Sequence, residues 1–184
     1  MSTTQALNLY IVDVLALLGL LHLSGLCSAA EVSFFSLSHK QITQCKNSKY
    51  PQDHSIIKLL QHPKRLLATI LILNNLANVA IVILSTYLLW TVVGSGEISN
   101  FILFGYTFVS TVFIVLFGEI IPKIYANQNN LYIAKKLTTP LQLAVAILYP
   151  LSRPLLRVGS LIGSKGFRDR YELSIHKLHR ALEL

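Results

Sequence analysis

The chain has 184 residues, 53% of them hydrophobic and 13% charged, and a formal net charge of +8. Soluble domains average about 45–50% apolar and about a quarter charged, so this composition argues against a soluble globule. The excess of base suits either nucleic acid or a membrane surface, but no Lys or Arg precedes Lys40 and none lies between Arg65 and Lys123. A nucleic-acid binder has little reason to divide its charges in that way. The pattern predicts an all-α, multi-pass protein of the lipid bilayer, with no nucleic-acid partner. Two cysteines, Cys27 and Cys45, exclude a disulfide framework or a zinc site built on four thiolates.

A membrane-spanning helix needs about 20 predominantly apolar residues. The first is predicted over residues 7–37, interrupted only by Asp13, His22 and Glu31. Ser24, Ser28 and Glu31 follow at spacings that share one helix face, and Gly25, Ala29 and Ala30 beside them permit close approach of a neighbour. His22 and Cys27 are expected to be packing residues. Six bases lie between Ser38 and Arg65, a stretch in which Ile56, Ile57, Leu59 and Leu60 predict one short amphipathic helix before His62-Pro63.

The second span, residues 66–93, carries no formal charge, yet it holds Asn74, Asn75 and Asn78. Amides at that depth need partners. The third, residues 98–121, is charge-free until Glu119 and leads into Gly118-Glu119-Ile120-Ile121-Pro122-Lys123. Proline has no N–H, so in α-helical register Pro122 leaves the Gly118 carbonyl without its donor, beside the Glu119 carboxylate. Irregular backbone at membrane depth is tolerated where it lines a cavity. The plainer reading has Pro122 ending the helix and Glu119 pairing with Lys123, four residues on.

A fourth apolar stretch, residues 137–149, contains Pro140, is followed by Pro150, and has Lys135-Lys136 and Arg153 at its two ends. It is too short to cross a core about 30 Å thick, and predicts a juxtamembrane helix in the inner interface, with a re-entrant or tilted helix as the alternative. Residues 155–184 turn polar and read as a cytoplasmic linker, with Leu173, Leu178 and Leu182 on one helix face. With three spans, all sixteen bases fall on one side of the membrane. Basic residues mark the cytoplasm, so the N-terminus is expected outside and the C-terminus inside, in the plasma (inner) membrane.

The intramembrane polar groups are hydroxyls, amides, a freed carbonyl and one carboxylate. Oxygen-only ligation suits hard cations such as Mg²⁺, Ca²⁺ or Na⁺, and a single carboxylate makes the binding weak enough for transport. No Ser/His pair, paired aspartates or HExxH is found, so no enzyme activity is expected.

The runs Ser24-Gly25-Leu26-Cys27-Ser28-Ala29-Ala30-Glu31, Asn74-Asn75-Leu76-Ala77-Asn78 and Phe117-Gly118-Glu119-Ile120-Ile121-Pro122-Lys123 resemble the transmembrane domain of the CNNM/CorC family. The resemblance covers residues 7–154, and the Gly-Glu-Ile-Ile-Pro-Lys run is its most specific part. It implies a domain over residues 1–154, assembled as a homodimer of three-helix protomers with a juxtamembrane belt helix. It also implies magnesium transport, mainly efflux, coupled to sodium. By position, Ser24 or Ser28, Asn74, Asn78, Glu119 and the Gly118 carbonyl would hold a largely dehydrated Mg²⁺, with Glu31, Asn75, Pro122 and Lys123 in support. Family members continue into a cytoplasmic CBS-domain pair that binds ATP, which this sequence lacks. Leu73 departs from the pattern, where a small residue is common, and its bulk is expected to narrow the cavity. Relatives with other roles, gliding motility among them, leave a non-transporting scaffold or regulator as the alternative.

Overall fold

The computed structural model describes residues 3–93 and 99–151, and the predicted linker 155–184 lies outside them. The described residues are helical, without strands. They comprise α1 (Thr3–Phe35), α2 (His39–Lys46), α3 (Pro51–Leu60), α4 (Pro63–Val93), α5 (Asn100–Val115), one π-helical turn (Leu116–Ile120), α6 (Ile121–Gln128) and α7 (Asn130–Ile147). Three stretches are long and apolar enough to span a membrane: Tyr10–Phe35, Pro63–Val92 and Asn100–Gln128.

The third span runs through Pro122 to Gln128 rather than ending near residue 121. The reason is local. Ile121 donates its N–H to Leu116, five residues back, so the chain has taken up one extra residue. Pro122 then falls in the first turn of α6, where a missing N–H is tolerated. The segment between the first two spans holds two helices where one was predicted. The additional one, α2, is started by a capping box in which Ser38 and Gln41 each satisfy the other's backbone N–H. Helix α7 begins at Asn130, earlier than predicted, and continues through Pro140.

The core starts at the seam between α1 and α4 and continues onto α3, α6 and α7. On α4 the buried residues Leu66, Ile70, Asn74, Ala77 and Ile81 recur every three or four positions, the spacing of one helix face. Opposite them α1 buries Ser24, Cys27, Ser28 and Ala30, so small side chains let the two backbones close up. Cys27 is thus a packing residue. Helix α5 buries none of its residues, and Phe101, Phe104 and Phe108 face outward, as suits a helix against lipid.

Below the spans, α2, α3 and α7 form a platform. Asn130 ties it to α1, donating to the Ser36 carbonyl at 2.9 Å and accepting from Gln41 Nε2 at 2.8 Å. Asp53 of α3, 4% exposed, lies 2.7 Å from Lys135 Nζ of α7. Burial alone would raise the Asp53 carboxyl. Contacts from Lys135 and Ser48, with the charges of Lys135 and His54, outweigh it and hold the carboxyl below the ordinary aspartate range.

A depressed folded-state pKa means that this stabilisation is complete above the ordinary aspartate range and is lost as pH falls through the folded value. Asp53→Asn removes the charge and leaves Lys135 without its partner. Thermal melts of the detergent-solubilised protein are expected to show a loss of about 1.5–3 kcal/mol at pH 7. That loss should shrink as the parent is acidified below the aspartate range.

Candidate functional site

The polar residues predicted on three separate helices meet where α1 crosses α4 and the π turn. Ser24 Oγ lies 2.8 Å from Asn74 Oδ1 and 2.8 Å from Asn78 Oδ1. Helical spacing explains it: Asn74 and Asn78 are one turn apart on α4, and Ser24 sits opposite the gap between them. A hydroxyl has one hydrogen, so it donates to one amide oxygen at a time, and the other is held close without a donor from Ser24. Three oxygens therefore converge on one proton, an electron-rich arrangement that a cation would relieve. Rotating one amide about its last torsion would present its NH₂ to Ser24 instead, which gives the cluster a self-satisfied form.

Gly118, in the π turn, closes the third side. A Cβ built on it would meet Ser24 Oγ at 3.1 Å and Leu21 Cδ1 at 3.4 Å, so only glycine fits without displacing the serine. Gly25 plays the reciprocal part on α1. A Cβ there would lie 3.2 Å from Cγ of Pro122 and 3.7 Å from the Phe117 carbonyl oxygen.

The π turn changes which carbonyls are free. Gly118 lacks the donor Pro122 would supply in α register, as its sequence implies. The structure adds Phe117. Its i+4 donor, Ile121, is bonded to Leu116, and its i+5 residue is Pro122, which has no N–H. Two neighbouring carbonyls thus lose their i+4 donors, and that of Phe117 faces Gly25 on α1. Sequence spacing alone could not find the second, because it assumes an unbroken α register. Single-turn π bulges are often found at functional sites.

Ser28, one turn from Ser24, is fully buried and its hydroxyl has no hydrogen-bond partner, as is also true of Thr69 on α4. Thr69 carries no signal in the sequence beyond being polar in an apolar span. Other predicted residues lie elsewhere. Glu119 Oε1 is 2.8 Å from Lys123 Nζ, and the same ammonium is 3.3 Å from Glu31 Oε2. The lysine therefore holds both carboxylates at the rim, the pairing anticipated for Glu119 but not for Glu31. Asn75 is exposed on the outer face of α4. His22 is exposed rather than packed, in an open cavity of about 680 Å³ shared with Tyr125 and Lys136. Leu73 lines an apolar cavity with Leu26, Cys27 and Leu141, so its bulk faces the platform and leaves the oxygen cluster unnarrowed.

Gly118→Ala drives a methyl against the Ser24 hydroxyl and is expected to cost about 1–3 kcal/mol in a thermal melt. Gly19→Ala is the matched control, because a Cβ there meets nothing within 4 Å. Equal losses in the two variants would show that the close approach at Gly118 carries no weight.

Residues 15–183 match the family model of the cyclin M (CNNM) transmembrane N-terminal domain. Among curated relatives, a UPF0053 protein of Synechocystis sp. is 30% identical over 135 residues, covering 70% of this chain and 36% of that protein. A chloroplastic DUF21 domain-containing protein of Arabidopsis thaliana is 32% identical over 173 residues, covering 92% of this chain and 26% of that protein. The chain thus spans only about a quarter to a third of the length of these relatives. With a family match over most of its length, and with the Gly-Glu-Ile-Ile-Pro-Lys run built into a π turn against Ser24, this chain belongs to the CNNM transmembrane-domain family.

Proposed function

We propose that this chain is the membrane module of a divalent-cation transporter that exports Mg²⁺ in exchange for Na⁺ and catalyses no covalent reaction. The observation that carries the reading is the convergence of the Ser24 hydroxyl with the Asn74 and Asn78 amide oxygens at 2.8 Å. Hard cations prefer such ligands, and Mg²⁺ takes six oxygens at about 2.0–2.1 Å. The cluster offers three, the unpartnered Ser28 hydroxyl a fourth, and the Gly118 and Phe117 carbonyls lie at its edge. Charge would come from Glu119, whose carboxylate now rests on Lys123.

In this account Lys123 is a tethered counter-ion. With no Mg²⁺ bound its single positive charge is shared between Glu119 and Glu31. When the ion arrives, Glu119 turns from the lysine toward the cluster, and Glu31 keeps the ammonium in place. Because the ion must displace an existing pairing, binding is weak and reversible, as transport requires. The same swap offers Na⁺ a way to compete for the oxygens.

A homodimer is part of the proposal. Asn75 is exposed twelve residues into α4, about 18 Å along the helix axis, at a depth where an amide facing lipid is unfavourable. A second copy of the chain would cover it. The proposed orientation, N-terminus outside and C-terminus cytoplasmic in the inner (plasma) membrane, is supported by the bases. Lys135 pairs with α3 and Arg65 bonds α7, so the basic segments gather at one end of the bundle. ATP would act only through a CBS-domain pair beyond these residues.

Two measurements test this. Isothermal titration of the purified protein with Mg²⁺ should show saturable binding that weakens at least tenfold in Asn78→Leu and in Glu119→Gln. An absence of binding in the parent would favour a scaffold of the same fold. Light scattering in detergent should give the mass of a dimer, and Asn75→Leu should shift it toward monomer. A parent that is only monomeric contradicts the assembly.

A further inference from the structure

A second polar site lies at the membrane-proximal corner where α3 turns into α4. The turn His62-Pro63 starts a helix of 31 residues, and the first side chains after it are Lys64 and Arg65. Arg65 is half-buried and is not an ordinary surface base. One guanidinium nitrogen donates to the Val145 carbonyl of α7 at 3.3 Å, and the guanidinium carbon stands 3.9 Å above the Tyr149 ring. Its Nε–H is buried and has no hydrogen-bond partner.

Two cavities open on this side chain. One, of about 440 Å³, is lined by Lys58, His62, Arg65 and Gln142 on its polar side and by Leu66 and Val145 on its apolar side. The other, of about 600 Å³, is lined by Gln61, His62, Lys64, Arg65 and Tyr149. Among the described residues, none of Lys58, Lys64 and Arg65 has a carboxylate partner. Lys58 lines one of these cavities and Lys64 the other, with His62 and Arg65 common to both, so three positive charges border a notch at the N-terminus of a long helix, whose dipole adds to the positive potential.

We propose that this notch binds the phosphate of an anionic phospholipid headgroup, with the start of an acyl chain along Leu66 and Val145. A bare positive-inside bias would scatter solvated lysines. It would not park a guanidinium on an aromatic face with one N–H buried and unmatched. The apolar wall selects a lipid over a soluble phosphate, since this cavity sits at the start of the Pro63–Val92 span. Basic pockets at the cytoplasmic ends of spans are sites of this chemistry. Because Arg65 also holds α7 through Val145, lipid at this corner would brace the platform against α4.

Native mass spectrometry of the full chain in detergent tests this, with dioleoyl phosphatidylglycerol and dioleoyl phosphatidylcholine as probes. Phosphatidylglycerol should bind at least tenfold more tightly than phosphatidylcholine. Lys58→Gln/Lys64→Gln, both exposed positions that leave the Val145 bond intact, should weaken it at least threefold. Arg65→Lys keeps the charge but loses the planar fork, and should weaken it at least tenfold. Lys40→Gln/Lys46→Gln removes equal charge elsewhere and should leave binding unchanged. An equal loss in that control would reduce the effect to diffuse surface charge and overturn the site. Displacement of the lipid by millimolar inorganic phosphate would assign the notch to a soluble anion and overturn the lipid reading.

Discussion

The close approach of α1 to the π turn is the constraint on which the rest of the site depends. Gly25 and Gly118 face each other's helices across distances that a single methyl would violate. With that gap closed, Ser24 is pressed against the π turn on one side and the α4 amides on the other. The polar cluster is then sealed by packing rather than by hydrogen bonds to water. In a bilayer, where the hydrophobic effect does not drive helices together, van der Waals contact between small residues is what holds such a seam. The oxygens that make the site are thus held in place by the residues with the least chemistry.

The same seam explains why a proline sits mid-span. An α-helix carried straight through Pro122 would place its ring against the preceding turn. The extra residue at Leu116–Ile120 absorbs that conflict and turns the Phe117 carbonyl toward Gly25. A backbone defect that would be costly facing lipid is covered by α1. Fold and proposed site meet at this point, since the π turn leaves Phe117 without a helical donor and the glycines let α1 cover it.

Much of this was legible in the sequence because intramembrane polarity is rare and periodic. Ser24, Asn74 and Asn78 announce themselves by spacing, and the one-sided bases give the spans their order. What stayed illegible depends on register and on contacts between distant segments. The second freed carbonyl requires knowing that Ile121 reaches back five residues. Glu119 sits next to Gly118 in the chain, yet its side chain leaves the helix toward Lys123 and Glu31. Asn75 neighbours Asn74 and points away from the seam, as a 100° step allows. Helix α2 is hard to read from periodicity because Ile42 and Cys45 are its only apolar residues among eight, and its capping box is the main local signal. Leu73 is bulky, as its sequence shows, but its side chain lines the apolar cavity against α7.

The central claim is that the oxygens around Ser24 form a cation site. Crystals of the protein grown with Mn²⁺ in place of Mg²⁺, measured at the manganese absorption edge, test it directly. The account predicts an anomalous peak between α1, α4 and the π turn, within coordination distance of the Ser24 hydroxyl and the Asn78 amide oxygen, with Glu119 drawn away from Lys123. A peak confined to the Glu31–Glu119 rim, with the Ser24 cluster empty and its amides rotated to satisfy one another, would contradict it.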